Sequence, residues 1–97
     1  MKENIKAYDN VLGLIGNTPL IKLNKITESL QGNFYAKVEA FNPGHSTKDR
    51  IALYIIEEAE KQGILTPGDT IIETTSGNTG FSLAMVSIIK GYNCILA

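Results

Sequence analysis

The sequence predicts an α/β protein built as an open, parallel-type sheet with covering helices. Three observations carry this. Thr70-Ile71-Ile72-Glu73-Thr74 is a β-branched run. A long apolar run from Phe81 to Lys90 ends at Gly91. Asn93-Cys94-Ile95-Leu96-Ala97 then reads as a second strand. Strand, helix and strand in that order imply a βαβ unit of right-handed sense.

The elements follow in chain order. Residues 1–10 read as a polar arm, Val11–Ile15 as a short apolar stretch, and Gly16-Asn17-Thr18-Pro19 as a turn. Leu20–Leu23 reads as a short strand, Thr27–Gln31 as one helical turn closed by Gly32-Asn33, and Phe34–Ala40 as a second strand. Asn42-Pro43-Gly44 breaks the chain. Ser46 with Asp49 three residues later has the spacing of a capping box, so a helix is expected from about Thr47. Ile51, Tyr54, Ile55 and Ala59 mark its expected buried face, with Glu57, Glu58, Glu60 and Lys61 on the solvated one. Gly63 is the expected left-handed terminator. Thr66-Pro67-Gly68-Asp69 has the proline and glycine of a type II turn.

The helix from Phe81 to Lys90 is apolar nearly all round, interrupted only by Ser82, Ser87 and Lys90, so it needs cover on more than one side. The final run is of the kind buried on both faces of a parallel sheet, and Cys94 within it reads as a core thiol. These features lead to the expectation that residues 1–97 are one incomplete segment, the opening of a larger protein. Within it, 1–44 form the arm and first strands, and 45–97 the helix and the βαβ unit. The alternative is a small module that covers Phe81, Met85, Ile88 and the open strand at Ile95 by self-association.

Composition narrows the functional classes. Ninety-seven residues allow one small domain at most, and 43% hydrophobic content is ordinary for a globular protein. A net charge of −1 gives no reason to expect nucleic acid or an anionic membrane as partner. The polar start Met1-Lys2-Glu3-Asn4-Ile5-Lys6 lacks the apolar centre of a signal peptide. No apolar run approaches the roughly 18 residues of a membrane span. A lone cysteine excludes an internal disulfide framework and suits a cytoplasmic location.

Two stretches carry chemistry. Lys48 falls in the first turn of the expected helix at 47, where the positive helix end favours a neutral, nucleophilic amine while Asp49 acts in the opposite sense. A solvated surface lysine is the competing reading. Thr75-Ser76-Gly77-Asn78-Thr79-Gly80 lies between a strand and a helix, where glycines allow close approach and free backbone N–H groups face an anion. Plain helix capping by Ser76 or Asn78 competes with anion binding. The loop is neither a dinucleotide fingerprint nor a P-loop. His45 borders the lysine without a defined role, the acids from Glu57 to Glu60 read as solubilising, and no metal-ligand spacing is present.

Ile15-Gly16-Asn17-Thr18-Pro19-Leu20, Asn42-Pro43-Gly44-His45-Ser46-Thr47-Lys48-Asp49-Arg50 and Pro67-Gly68-Asp69 through Thr75-Ser76-Gly77-Asn78-Thr79-Gly80 occur in one register. With these motifs the chain, from about Val11 to Ala97, resembles the amino-terminal part of the cysteine synthase (O-acetylserine sulfhydrylase) and cystathionine β-synthase family. These are pyridoxal 5'-phosphate enzymes of the tryptophan-synthase-β fold (fold type II). The resemblance implies that Lys48 binds the cofactor as an imine and later serves as base at the substrate Cα. It implies that Asn78 hydrogen-bonds the cofactor ring hydroxyl. Thr75, Ser76, Gly77, Asn78 and Thr79 would clasp the α-carboxylate of an amino-acid substrate, and 45–97 would belong to the small, loop-bearing subdomain. The implied reaction is β-replacement through an aminoacrylate, on O-acetylserine or serine, with sulfide or homocysteine as nucleophile, in a homodimer. Thr74 stands where many relatives have proline, and Gly44-His45-Ser46-Thr47 departs from the commoner version beside the lysine. The family's phosphate cup and the residue facing the pyridine nitrogen are implied to lie further along than Ala97, so a non-catalytic binding or assembly module is the alternative of another class.

Overall fold

The structure is a computed structural model that describes residues 6–97. The first half of the polar arm read at 1–10 lies outside the described residues. A 3-10 helix, Val11–Leu14, opens the fold, its end satisfied by Asn10, whose Oδ1 accepts from the Leu12 N–H. Strands β1 (Leu20–Leu23) and β2 (Phe34–Lys37) form an antiparallel pair in which Leu20 faces Lys37. Between them, Thr27–Gln31 forms turns closed by a Leu30 N–H to Thr27 C=O bond of 2.9 Å, not a helix. The second expected strand stops early, because Glu39–Phe41 coils into a short 3-10 helix.

Helix α1 runs from Lys48 to Lys61, and β3 from Thr70 to Glu73. Helix α2 runs from Asn78 to Lys90, and β4 from Asn93 to Leu96. Strands β3 and β4 pair in parallel, Thr70 opposite Asn93 and Glu73 opposite Leu96, as the βαβ pattern requires. The two strand pairs form separate two-stranded sheets, one antiparallel and one parallel.

The punctuation residues act as read. Gly63 takes a φ of 76°, and the N–H groups of Gly63 and Ile64 bond to the C=O groups of Glu60 and Ala59, the pairing of a Schellman motif. Gly68 takes a φ of 101° in a turn closed from Asp69 N–H to Thr66 C=O at 3.0 Å. Gly91 ends α2 with a φ of 86°.

The packing corrects three sequence-based expectations. First, the face of α1 that meets α2 is Asp49, Ala52 and Ile56, whereas Ile51, Tyr54 and Ile55 are exposed. Helix α1 carries two apolar stripes of helical spacing, and the one bearing the small Ala52 allows the closer approach. Second, the polar interruptions of α2 lie inside. Ser82 and Ser87 are fully buried with Leu83 and Val86, while Phe81 and Ile88 face out. Small side chains let the two helices come together, so size outweighs polarity at this contact. Third, β4 is not buried on both faces. Ile95 and Leu96 are exposed, and only Cys94 packs half-buried against the core of Ala52, Ile56, Leu83, Val86 and Tyr92.

Two clamps set the direction of the helix pair. Near the amino ends, the Ser82 hydroxyl donates to Asp49 Oδ1 at 2.6 Å. Near the carboxyl ends, Lys90 Nζ bonds Glu60 Oε1 at 3.0 Å and the Tyr92 hydroxyl donates to Glu60 Oε2 at 2.5 Å. From Asp49 to Glu60 the helix rises about 16 Å, and from Ser82 to Lys90 about 12 Å. Contacts at both ends are therefore possible only if the helices run side by side in the same direction. Glu60 is thus not part of a solubilising face. The Tyr92 hydroxyl and Lys90 hold its carboxyl below the usual carboxylate range, while burial, with Glu60 beside it, pushes the Tyr92 phenol up to about 12. No helix among the described residues is long and apolar enough to cross a membrane.

The two-stripe finding has a direct test. Ile56→Ala is expected to lower unfolding free energy by about 2–4 kcal/mol, and Ile55→Ala by less than about 1 kcal/mol, compared by urea titration.

Candidate functional site

Lys48 occupies the first residue of α1 and is half-buried. The expected capping box forms only in part. Ser46 Oγ accepts from the Lys48 N–H at 3.1 Å, but Asp49 does not reach back to Ser46. Its carboxylate turns inward, fully buried, and accepts from the Gly44 N–H at 2.5 Å and from Ser82 Oγ at 2.6 Å. Asp49 also does not pair with Lys48, whose amine makes no ion pair or side-chain hydrogen bond among the described residues. A Cβ at residue 44 would overlap the Asp49 carboxylate, so this buried position admits only glycine. The exposed His45 takes a left-handed φ of 66°, its N–H bonded to the Asn42 C=O at 2.8 Å.

The turn ahead of α1 is held by a polar cluster that composition and spacing did not reveal. The fully buried Asn42 accepts from the Gly16 N–H at 2.8 Å and donates to Glu39 and to the Ser46 C=O at 2.9 Å. Arg50 grips Glu39 with Nε at 2.6 Å and one terminal nitrogen at 3.0 Å, and the same nitrogen reaches the Gly16 C=O and Thr18 Oγ1. The Thr18 hydroxyl donates to Glu39 Oε2 at 2.7 Å. The turn at Gly16–Thr18 and the segment from Asn42 to Arg50 are therefore two sides of one hub. Bonds from Arg50 first and Thr18 second hold the Glu39 carboxyl down at about 2, and the Arg50 guanidinium is correspondingly raised by Glu39.

Thr75–Gly80 spans the turn from β3 into α2. Thr75 is half-buried and anchored. Its N–H bonds the Ala97 C=O at 3.0 Å, and its Oγ1 accepts from the N–H groups of Gly77 at 3.3 Å and Gly80 at 3.2 Å. The N-cap position of α2 is Gly77, and the hydroxyl that takes the N–H groups at this helix start is that of Thr75, not Ser76 or Asn78. Gly80 is required there, since a Cβ would meet Thr75 Cγ2 at 2.5 Å. Ser76, Gly77 and Asn78 are exposed and Thr79 is half-buried. Among the described residues the N–H groups of Ser76, Asn78 and Thr79 have no protein acceptor.

The Asp49–Ser82 bond brings these parts to one end of the molecule. Ser82 lies one helical turn after Asn78, and Asp49 directly follows Lys48. The first turn of α1, which carries Lys48, therefore lies next to the first turn of α2, and the positive ends of the two parallel helices fall together. That donor set fits an aldehyde-bearing cofactor at the amine and a carboxylate at the loop. Two depressions lie elsewhere. One of about 450 Å³ adjoins the hairpin turn at Lys22–Glu28, and an apolar one of about 400 Å³ lies between Val11, Pro43, Phe81, Met85 and Ile88.

Comparison with known proteins identifies the family. A family model described as pyridoxal-phosphate dependent enzyme matches residues 11–97. The chain belongs to that family. Cystathionine beta-synthase of Mus musculus is 53% identical over 93 residues, 94% of this chain and 17% of that protein. Cysteine synthase of Staphylococcus aureus is 50% identical over 90 residues, 93% of this chain and 29% of that protein. Among solved structures, a hydrogen sulfide-producing enzyme from Fusobacterium nucleatum superposes with a TM-score of 0.83 at 51% identity, over 93% of this chain and 30% of that one. O-ureido-L-serine synthase does so with a TM-score of 0.81 at 44% identity, over 94% and 28%. The chain thus spans less than a third of the length of each of these relatives.

The hub gives a pH prediction. Glu39 titrates near 2 in the folded state against an ordinary 4.5, so below about 4.5 the unfolded chain takes up this proton first. Stability from Glu39 is fully present above that pH and is lost as pH falls toward 2. Glu39→Gln is expected to flatten this limb, read as the difference between wild-type and variant thermal melts from pH 5 to 2.

Proposed function

We propose that this chain supplies the lysine and carboxylate-binding half of a pyridoxal-phosphate-dependent β-replacement site that makes cysteine from O-acetylserine, or serine, and sulfide. The observation that supports this most is the Asp49–Ser82 bond, which joins the helix start bearing the unpaired Lys48 to the helix start bearing the open N–H groups of Ser76, Asn78 and Thr79. In this reading residues 45–97 belong to the subdomain that bears the substrate loop, and residues 1–44 to its support.

Bound pyridoxal phosphate supplies the electron sink that lets a β-substituent leave the amino-acid substrate. Lys48 Nζ would hold the cofactor and would take the proton from the substrate Cα. The Asn78 amide would hold the cofactor through its ring hydroxyl. The N–H groups of Ser76, Asn78 and Thr79 donate to the substrate α-carboxylate, with the side chains of Thr75, Ser76 and Thr79 around it and Gly77 leaving room for its approach. The anion lies at the positive end of α2, where the helix dipole favours it. Thr75 ties the loop to the residue after β4 through the Ala97 C=O, while Ser76–Asn78 are exposed.

A second reading is cystathionine formation from serine and homocysteine, favoured by the 53% identity to the mouse cystathionine beta-synthase. Both readings use the same lysine and loop. The full-length protein is proposed to act on small amino acids as a homodimer in the cytoplasm.

The test uses the 97-residue chain with millimolar pyridoxal phosphate, borohydride reduction and peptide mapping. The visible absorbance band is expected to be weak or absent and no cysteine is expected to form, because the chain spans less than a third of the relatives it matches. Reduction nevertheless accumulates a minor adduct, and the label is expected on Lys48 ahead of Lys22, Lys37 and Lys61. It should vanish from that peptide in Lys48→Ala. Label spread evenly over the lysines would sink the assignment and favour a non-catalytic assembly module built around Phe81, Met85, Ile88 and Ile95.

A further inference from the structure

Asp49 neighbours the proposed catalytic lysine, yet its carboxylate faces away from the site into the protein. It is fully buried, and its two oxygens have separate tasks. Oδ2 accepts from the Gly44 N–H and Oδ1 from the Ser82 hydroxyl. Ser82 is itself fully buried, so its hydroxyl has no water to turn to. An ionised or polar group removed from water is held strongly to whatever partner it has, and this is why a bond between two buried groups fixes geometry more firmly than a surface pair.

Position makes this bond consequential. Asp49 is the second residue of α1 and Lys48 the first. Ser82 is the fifth residue of α2 and shares a helix face with Asn78, the first. The bond therefore ties the turn bearing the amine to the turn bearing the loop donors, a single residue from the one and a single helical turn from the other. Among the described residues it is the only side-chain hydrogen bond between the amino-terminal halves of the two helices. On the other side, Gly44 and Asn42 tie the same turn of α1 to the polar hub.

We infer that Asp49 and Ser82 form a positioning pair that sets Lys48 against the Asn78–Thr79 end of the substrate loop, by geometry and not by charge. The inference rests on the function proposed above. Asp49 touches neither cofactor nor substrate; it acts through the placement of Lys48. Misplacing a reacting group by about 1 Å can cost on the order of a hundredfold in rate. The pair therefore predicts that a change at Ser82, far from any reacting atom, reaches the amine.

The experiment reads the same borohydride-trapped label, as the ratio of Lys48 to the other lysines within one sample. Circular dichroism establishes that each variant is folded at the assay temperature. Ser82→Ala removes the bond between the helices and leaves the Gly44 bond in place. It is expected to lower the Lys48 ratio by roughly tenfold or more. Asp49→Asn removes the charge but keeps the shape, and its amide can accept from Gly44 and donate to Ser82 Oγ. It is expected to keep the ratio within about threefold of wild type on the same argument. Should Ser82→Ala fail to fold, Ser82→Cys keeps the small side chain with a much weaker hydrogen bond and carries the same expectation.

A merely structural role would lower the melting temperature in Ser82→Ala and leave the ratio unchanged in the folded protein, which would overturn the inference. Loss of the ratio in Asp49→Asn as large as in Ser82→Ala would overturn it too, since charge would then be the agent. A wild-type chain with no preference for Lys48 would overturn the proposed function itself. A wild-type preference that survives in Ser82→Ala removes only the positioning pair.

Discussion

A buried carboxylate with two donors is the constraint on which the rest of this structure depends. Leaving Asp49 unpaired in the interior would cost several kcal/mol, so the chain must bring a donor to each of its oxygens. One donor is the Gly44 backbone, which can approach only because residue 44 has no side chain. The other is Ser82, which must be a small residue with a hydroxyl at the helix contact. Asp49 also lies in the first turn of α1, where the helix end itself favours a negative charge. Meeting these requirements places α2 beside α1 with both amino ends together. Glu60 with Lys90 and Tyr92 then completes the alignment at the far end.

The support and the working part of the site differ in character. Lys48 stands on a turn braced from two directions, by Asp49 toward α2 and by the Glu39, Asn42 and Arg50 hub toward the Gly16–Thr18 turn. The loop from Thr75 to Gly80 has one anchoring residue, Thr75, which takes the N–H groups of Gly77 and Gly80, while those of Ser76, Asn78 and Thr79 are unclaimed among the described residues. Such a pairing suits a site in which the covalent partner is held and the anion-binding part adjusts to its ligand. Both parts lie at the positive ends of helices that point the same way, so their dipoles add where an amino-acid carboxylate would rest.

Much of the fold was legible from residues with strong local preferences. Gly63, Gly68 and Gly91 take left-handed φ where helix ends and a turn were expected, and β1 and β3 lie where their patterns placed them, whereas α2 starts at Asn78, inside the stretch expected to be loop. The candidate site was legible as two separate stretches, Lys48 and Thr75–Gly80, whose types and spacing suited an amine and an anion cradle. Their connection was not legible. Asp49 read as half of a local capping box, and Ser82 as a polar blemish on an apolar helix. Glu39 carries no local signal and Thr18 reads only as part of a turn and a motif, because their partners are remote in sequence. Only the family resemblance joined the motifs, and it did so without the bonds that hold them.

The sequence by itself determined what depends on neighbours within about one helical turn: the turns, the helix ends, the parallel βαβ order and the chemistry available at Lys48 and Thr75–Gly80. Tertiary structure decided which of two apolar stripes of α1 is buried, that the serines of α2 lie inside while Phe81 and Ile88 lie outside, and that Asp49 faces α2. The physical reason is common to all three. Periodicity reports that a face could be buried, but the choice between faces is made by how closely two helices can approach and by which buried polar groups find partners there.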